Sequence, residues 1–456
     1  MRLTEREMLI PAPYGCSSLL THVGESIYAR IDKREIPVRV AVTQTDSDGY
    51  HCEVGILSES NNLRTRTIES IFSLQQRKYE NQASFNAVLL VPTGIGAEIG
   101  GHSGDAGAVA RLLAANCDHL ITHPNVVNAA DINELPENGL YVEGSVISRM
   151  MMGKVGLQKV RSNRIIVIMD QHTDKMFHEL SINSVSAARA AMGLDCPLVI
   201  KMEDRVRMRS LFSKSGRATG RIDFLEYLFE VIEEHRSEFD AVALTSLIDV
   251  PEHFHKDYFD RDTNMFNPWG GVEAMLTHTI STLFDVPSAH SPMMTSSEVM
   301  NLDVDIVDPR KAAEAVSTTY LHCILKGLHR SPRVIPDVPI HGDPALLTVA
   351  NLSCLIIPDG CVGLPTLAAL EQGIPVIAVK ENKNCMQNRL EDLPFDSGKL
   401  FIVENYLEAV GIMSALKAGV AVEAVRRPLD DTNVKSNRYS TKNSDANISK
   451  RDVAIG

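Results

Sequence analysis

AVLLVPTGIGAEIGGHSGDAGAVARLLAANCDHLITHPN, residues 87–125, decides the fold. The continuous apolar run Ala87–Val91 is too short for a helix. It leads through a glycine-rich turn into a helical pattern over Asp105–Asn116, and a second apolar run follows at His119–Thr122. Strand, turn, helix and strand make a βαβ unit, and strands that lack polar alternation are those buried on both faces of a parallel sheet.

The same rhythm extends outward on both sides. Further strands are read at Arg164–Met169, Pro197–Lys201, Ala241–Thr245, Cys354–Ile357 and Pro375–Val379. Helices are read at Ser184–Met192, Asp223–His235, Val272–Phe284, Pro309–Leu328, Pro365–Gln372 and Tyr406–Ala418. Two of these helices open on Pro, whose missing N–H costs nothing at the first helical position. The fold class this predicts is α/β: mainly parallel sheets with flanking helices, arranged as two Rossmann-like lobes around a cleft.

Residues 1–84 read as an N-terminal extension packed on the first lobe, with two strands around the Asp48-Gly49 turn. Residues 85–202 are the lobe carrying the glycine-rich loop, and residues 203–427 the second α/β lobe. The basic stretch Glu203–Arg221 reads as a surface loop, and Asp249–Gly271, with His253, His255 and Trp269, as a lid or binding loop. Residues 428–456 are rich in Ser, Thr, Asn and Lys, and are expected to be a disordered tail.

The chain has 456 residues, 44% of them hydrophobic, and a net charge of −13. Seven Lys or Arg against four Asp make residues 426–456 net +3, so the body carries −16 and would repel a phosphate backbone. Nucleic acid is therefore not an expected partner. Eight cysteines without a C-x-x-C pair read as reduced thiols. The N-terminus has no apolar core of a signal peptide, and no stretch reaches the roughly 18 apolar residues of a membrane span. These features predict a soluble, cytoplasmic protein with no membrane partner, a homo-oligomer acting on a small anionic substrate.

Four clusters carry the candidate chemistry. In Val91–Gly107, the glycines Gly94, Gly96, Gly100 and Gly101, with His102, are candidate binding residues. Glycine lets a ligand approach the backbone, and the helix that follows presents free N–H groups to an anion. A glycine-rich turn without a ligand is the alternative. The dinucleotide fingerprint fails because Ile99 stands where its third glycine belongs, and the phosphate-loop motif fails because His102 replaces its Lys and Glu98 lies inside the loop. No cofactor is expected. Asp105 is a candidate acid/base or a helix cap.

At the end of the neighbouring strand, His123 and Asn125 should share the crevice with this loop, His123 as acid/base and Asn125 as a substrate contact; Glu143 follows closely. In Asn267–Met294, Glu273 lies in the first turn of a helix, where it serves the dipole or the chemistry, and His290 follows a short strand. The histidines and glutamates are the residue types of a metal site, but none has ligand spacing such as H-E-x-x-H, so no metal is assigned. In Leu355–Asn382, the turn at Asp359 and Gly360 is a second anion cradle in a compact β-α-β unit. It resembles the donor-diphosphate turn of glycosyltransferases and nucleotide-sugar epimerases. Cys361 reads better as a small buried residue than as a nucleophile.

The runs VPTGIGAEIGGHSGDAG, LITHPNVVNAA, YVEG, GGVEA, PSAHSP and GIPVIAVKEN together resemble a bacterial family known only as a domain of unknown function, number 3326. The resemblance covers Phe85 to Pro428. It implies shared motifs at Gly94, Gly96, Gly100, Gly101, Gly104 and Asp105, at Thr122–Asn125, Tyr141–Gly144 and Gly270–Ala274, and at Ala289, His290 and Pro292. It brings no established reaction. The function expected from the residues is acid/base chemistry on an anionic or carboxylate-bearing small molecule, as an isomerase, lyase or hydrolase. His123 or His290 would move the proton, with Asp105, Glu143 or Glu273 as partner. The alternatives are a glycosyltransferase-like enzyme using Asp359–Pro365 and a non-catalytic ligand-binding protein.

Overall fold

The computed structural model describes all residues except 14–17, 59–68, 103, 133–134, 252, 302–303, 318 and 437–456. It is a mixed α/β protein with several sheets. One sheet has six strands, all parallel, in the order Leu400–Val403, Val376–Val379, Leu352–Pro358, Asn86–Leu89, His119–Thr122, Gly139–Tyr141. Every residue of Asn86–Leu89, Leu352–Pro358 and Val376–Val379 is buried, which is why these segments read as unbroken apolar runs.

The larger sheet is half parallel. Its parallel part pairs Leu198–Lys201 with Ile165–Met169, that strand with Ala241–Asp249, and the latter with Ser288–Met293. Its antiparallel part joins Arg2–Pro11 to the hairpin Glu35–Asp46 and Gly49–Ser58 on one side, and to Ala218–Asp223 on the other. The N-terminal residues therefore form the middle of a sheet, paired to a segment some two hundred residues away. A small third sheet pairs Val155–Gln158 with Arg333–Pro336 and Leu346–Leu347.

Glu203–Arg221 is not a surface loop. Arg207–Phe212 and Ala218–Asp223 form a hairpin, and one of the basic residues, Arg217, is buried between Glu5 and Glu53. The helix read over Pro309–Leu328 is interrupted; short turns at Ala312–Ala315 give way to Leu321–His329, and Tyr320 between them has φ +50°. The lid stretch Asp249–Gly271 contains a helix at His253–Phe259. Of the tail, residues 429–436 are exposed without regular structure, and the rest of the expected disordered tail lies outside the described residues.

The cores follow the sheets. One packs around the six parallel strands, with Val88, Ile121, Leu355 and Ile377 at its centre. The other lies between Ile166, Leu244 and Ile222 of the larger sheet and two helices, Leu225–Glu234 and Gly270–Phe284.

Candidate active site

Three neighbouring strands of the parallel sheet, Asn86–Leu89, His119–Thr122 and Gly139–Tyr141, end on the same side and release Thr93, His123 and Glu143 into one crevice. Facing them, the helix Gly270–Phe284 brings Glu273, Thr277 and His278, and the strand Ser288–Met293 brings His290. Between these elements lies a cavity of about 150 Å³. His102, His255, Trp269 and Glu314 complete its polar and aromatic wall. Asn267 holds the helix start in place, accepting from the N–H groups of Trp269 (2.9 Å) and Gly270 (3.0 Å).

Two imidazole–carboxylate pairs face this space. His290 Nδ1 is 3.1 Å from Glu273 Oε1, and its Nε2 is 2.8 Å from Ser246 Oγ, which stands behind the ring. The second pair is His278 Nδ1 with Glu143 Oε1, at 2.6 Å. Glu143 also caps the helix Gly144–Met151, accepting from the N–H of Ser145 at 2.8 Å and from its hydroxyl. Burial pushes the Glu143 carboxyl up, but His278 and the Ser145 hydrogen bonds outweigh it and hold the group below the ordinary range. Glu273 and His278 are five positions apart on one helix, so their backbone positions are about 7.5 Å apart along its axis.

His123 is placed in the wall but not as a proton acceptor. Its Nε2 accepts the Val91 N–H at 3.1 Å, which puts the ring proton on Nδ1. Burial, helped by the nearby His278, lowers it to about 4. Near neutral pH this ring is a neutral N–H donor, fitted to polarise a ligand oxygen rather than to take a proton. His102 is likewise lowered to about 4 by burial and by Arg310 and Lys311, and its Nδ1 is buried without a partner. Glu314 moves the other way: burial, with Glu273 nearby, raises it to about 8, so it stands protonated near neutral pH.

The glycine loop is not an open anion cradle. A Cβ on Gly94 would meet Ala218 O at 2.5 Å, on Gly96 the Phe266 ring at 2.6 Å, on Gly100 Ala106 Cβ at 3.0 Å and on Gly101 Ala97 O at 2.1 Å. Something does approach these backbones, but it is protein. Asp105 neither caps the following helix, which starts at Gly107, nor lines the cavity; its Oδ1 accepts the Gly100 N–H at 3.0 Å and folds the loop onto itself. Asn125 reaches the cavity, yet its amide donates to Val91 O (2.9 Å) and Gly100 O (2.8 Å), leaving only its oxygen for a ligand. The loop and the Thr122–Asn125 run thus adjoin, as expected, through structural hydrogen bonds.

The turn at Asp359 and Gly360 lines neither this cavity nor its neighbour. The Gly360 N–H is bound by its own neighbour, Asp359 Oδ1, at 2.9 Å, and Gly360 O accepts from Asn388 at 2.7 Å, so no free cradle remains for a diphosphate. Cys361 is buried, and burial raises its thiol, the opposite of an activated nucleophile. Among the described residues no group of three His, Cys, Asp or Glu converges as metal ligands.

Sequence reasoning missed His278, Glu314 and Ser246. His278 had a signal: it follows Thr277 on the helix that carries Glu273. Glu314 and Ser246 had none, because each sits in a stretch whose pattern reads as ordinary helix or strand.

Fold and cavity define a mixed α/β protein with an interior cleft lined by histidines and carboxylates. The chain belongs to the family described as Protein of unknown function (DUF3326), whose model matches residues 86–426. It is similar to an uncharacterized lipoprotein of a Synechococcus species, with 33% identity over 341 residues, covering 74% of this chain and 92% of that protein. No solved structure matches. The relative's name conflicts with the expected cytoplasmic location, which is withdrawn; it rested on the lack of an apolar run near the N-terminus, and that does not decide location. Among the described residues no helix is long and apolar enough to cross a membrane.

Proposed function

We propose that this protein is an enzyme that moves protons on a small anionic or carboxylate-bearing substrate, as an isomerase, lyase or hydrolase. The observation that carries this reading is the pair of imidazole–carboxylate couples, His290–Glu273 and His278–Glu143, facing one cavity. One couple can accept a proton while the other donates one, each carboxylate orienting its imidazole. The neutral His123 would donate its Nδ1–H to the substrate oxygen on which charge develops. Ser246 supports the orientation of His290 from behind and is not the nucleophile, since it lies outside the cavity wall.

The two parallel regions act, on this reading, as two Rossmann-like lobes closing on the cleft. The sheet containing Asn86–Leu89 supplies His123 and Glu143, and the one containing Ala241–Asp249 supplies His290.

The test uses Trp269, the single tryptophan, as an internal probe of the cavity it lines. A library of small organic acids is screened for a change in its emission, and hits are assayed for conversion. Glu273→Gln should retain binding and lose at least about a hundredfold in turnover, the range for a general acid or base. Full turnover by both Glu273→Gln and His278→Gln would refute the reading.

A further inference from the structure

A second cavity, of about 140 Å³, adjoins the first, and Thr93, His123, Gly144, Ala274 and His278 belong to both walls. The two differ in charge. Among the described residues the first is lined by Glu143, Glu273 and Glu314 and by no Lys or Arg, whereas the second is lined by Arg39, Arg149 and Arg217 and by no Asp or Glu. The acids that balance these arginines stand outside its wall. Glu5 is 3.9 Å from Arg39 Nε and also binds Arg217; Glu53 Oε2 is 2.6 Å from Arg217 Nε; Asp285 Oδ1 is 2.6 Å from Arg149 Nη2. The wall therefore carries the basic member of each pair and not the acidic one.

Two further features point to an anion. Arg217 has a side chain only 1% exposed, and its Nη1 has no hydrogen-bond partner, an unusual state for a buried donor. The helix Leu364–Gln372 begins at the wall with Gly363 as its cap, so no side chain satisfies its first N–H groups. The remaining wall is apolar, with Val38, Val40, Ile95, Ile357 and Met386.

We propose that this second cavity seats the anionic group of the substrate: an organic acid whose carboxylate or phosphate lies between Arg39, Arg217 and the start of the Leu364–Gln372 helix, whose apolar part packs on the aliphatic wall, and whose reacting end passes His123 and His278 into the first cavity. This rests on the reading of the first cavity as the reaction site. It also moves the anion from the glycine loop, where protein fills the space, to a wall that carries arginines and no Asp or Glu.

The experiment is calorimetric binding of hexanoate, hexyl phosphate and the neutral hexanamide to the full chain. At least one of the two acids should bind at least about tenfold more tightly than hexanamide, as loss of a charge-assisted hydrogen bond implies; the tighter acid identifies the anion. Arg39→Gln should weaken that acid by a similar factor. Gly363→Leu is the second variant. Its Cβ meets nothing closer than Val40 O at 3.4 Å and its φ is −153°, so it should fold while filling the cavity, and it too should lose the acid. Glu273→Gln should leave acid binding unchanged. Equal binding of acids and amide, no binding of any of the three, or acid binding that survives both Arg39→Gln and Gly363→Leu, would overturn the inference. Acid binding as described, combined with undiminished turnover in Glu273→Gln and His278→Gln, would instead overturn the reading of the first cavity.

Discussion

Replacing Gly101 by Ala separates two accounts of the glycine loop. If the loop were an open cradle, one methyl group would disturb a ligand and leave the protein intact. In the structure that methyl would lie 2.1 Å from Ala97 O and 2.4 Å from Ala97 N, distances that backbone atoms cannot accept, so the loop must shift. Overpacking of this kind costs about 1–3 kcal/mol and occasionally more, and the clash with backbone rather than a flexible side chain puts Gly101→Ala at the upper end. At roughly 2–4 °C per kcal/mol for a cooperative unit of 150–250 residues, the thermal midpoint should fall by at least about 6 °C. Gly107→Ala is the control: it opens a helix, nothing lies within 4 Å of its Cβ, and it should be neutral or stabilising by up to about 1 kcal/mol. Circular dichroism melts of the two variants beside the parent chain give the answer. An unchanged midpoint for Gly101→Ala would refute the packed-loop reasoning.

Three other outcomes are expected. Nitrogen-detected NMR should find His123 as the Nδ1–H tautomer with no titration above about pH 5, since its folded value is about 4; protonation near pH 6.5 would contradict its burial. Glu314 keeps its proton up to about pH 8 when folded, against 4.5 unfolded, so the folded state binds more protons in that window and stability falls as pH rises through it. Glu314→Gln, neutral throughout, should flatten this slope, most visibly above pH 7, where Asp170, which burial raises to about 7, loses its remaining proton and contributes less; an identical slope in denaturant melts would count against it. Arg217→Met removes the guanidinium that pairs buried Glu53, leaving Glu5 with Arg39 alone, and should cost about 3–5 kcal/mol, a loss that denaturant titration would miss only if the ion cluster were solvated.

The parallel sheet was legible because its strands are buried on both faces and announce themselves as apolar runs; Cys354–Ile357 lies within an observed strand, and Ala87–Val91 and Pro375–Val379 overlap the strands Asn86–Leu89 and Val376–Val379. The N-terminal strand Arg2–Pro11 was not, because RLTEREMLIP is mostly half-exposed and its partners lie far off in the chain. The hairpin at Arg207–Asp223 was hidden by its charge. Arg217 reads as solvent-facing until Glu5 and Glu53, from two other strands, close around it. At the site, the crevice rule set His123 and Asn125 at the strand ends, and Glu143, His290 and Glu273 line the same cavity. Asp105, Asp359 and the glycines did not follow, because a sequence shows that a backbone is approached but not by what. His278 pairs with Glu143 from 135 positions away, and no local pattern carries such a contact.

Exchange of a substrate C–H for deuterium tests the proton-transfer claim most directly. The full chain in D₂O, incubated with each acid that perturbs Trp269 emission, is followed by proton NMR. For at least one compound a C–H signal next to a carbonyl or carboxylate should disappear in the presence of the parent chain, and should persist with Glu273→Gln. Wash-in that continues unchanged in Glu273→Gln and in His278→Gln, or no exchange and no conversion for any compound that enters the cavity, would contradict the assignment of the two imidazole–carboxylate couples as an acid/base site.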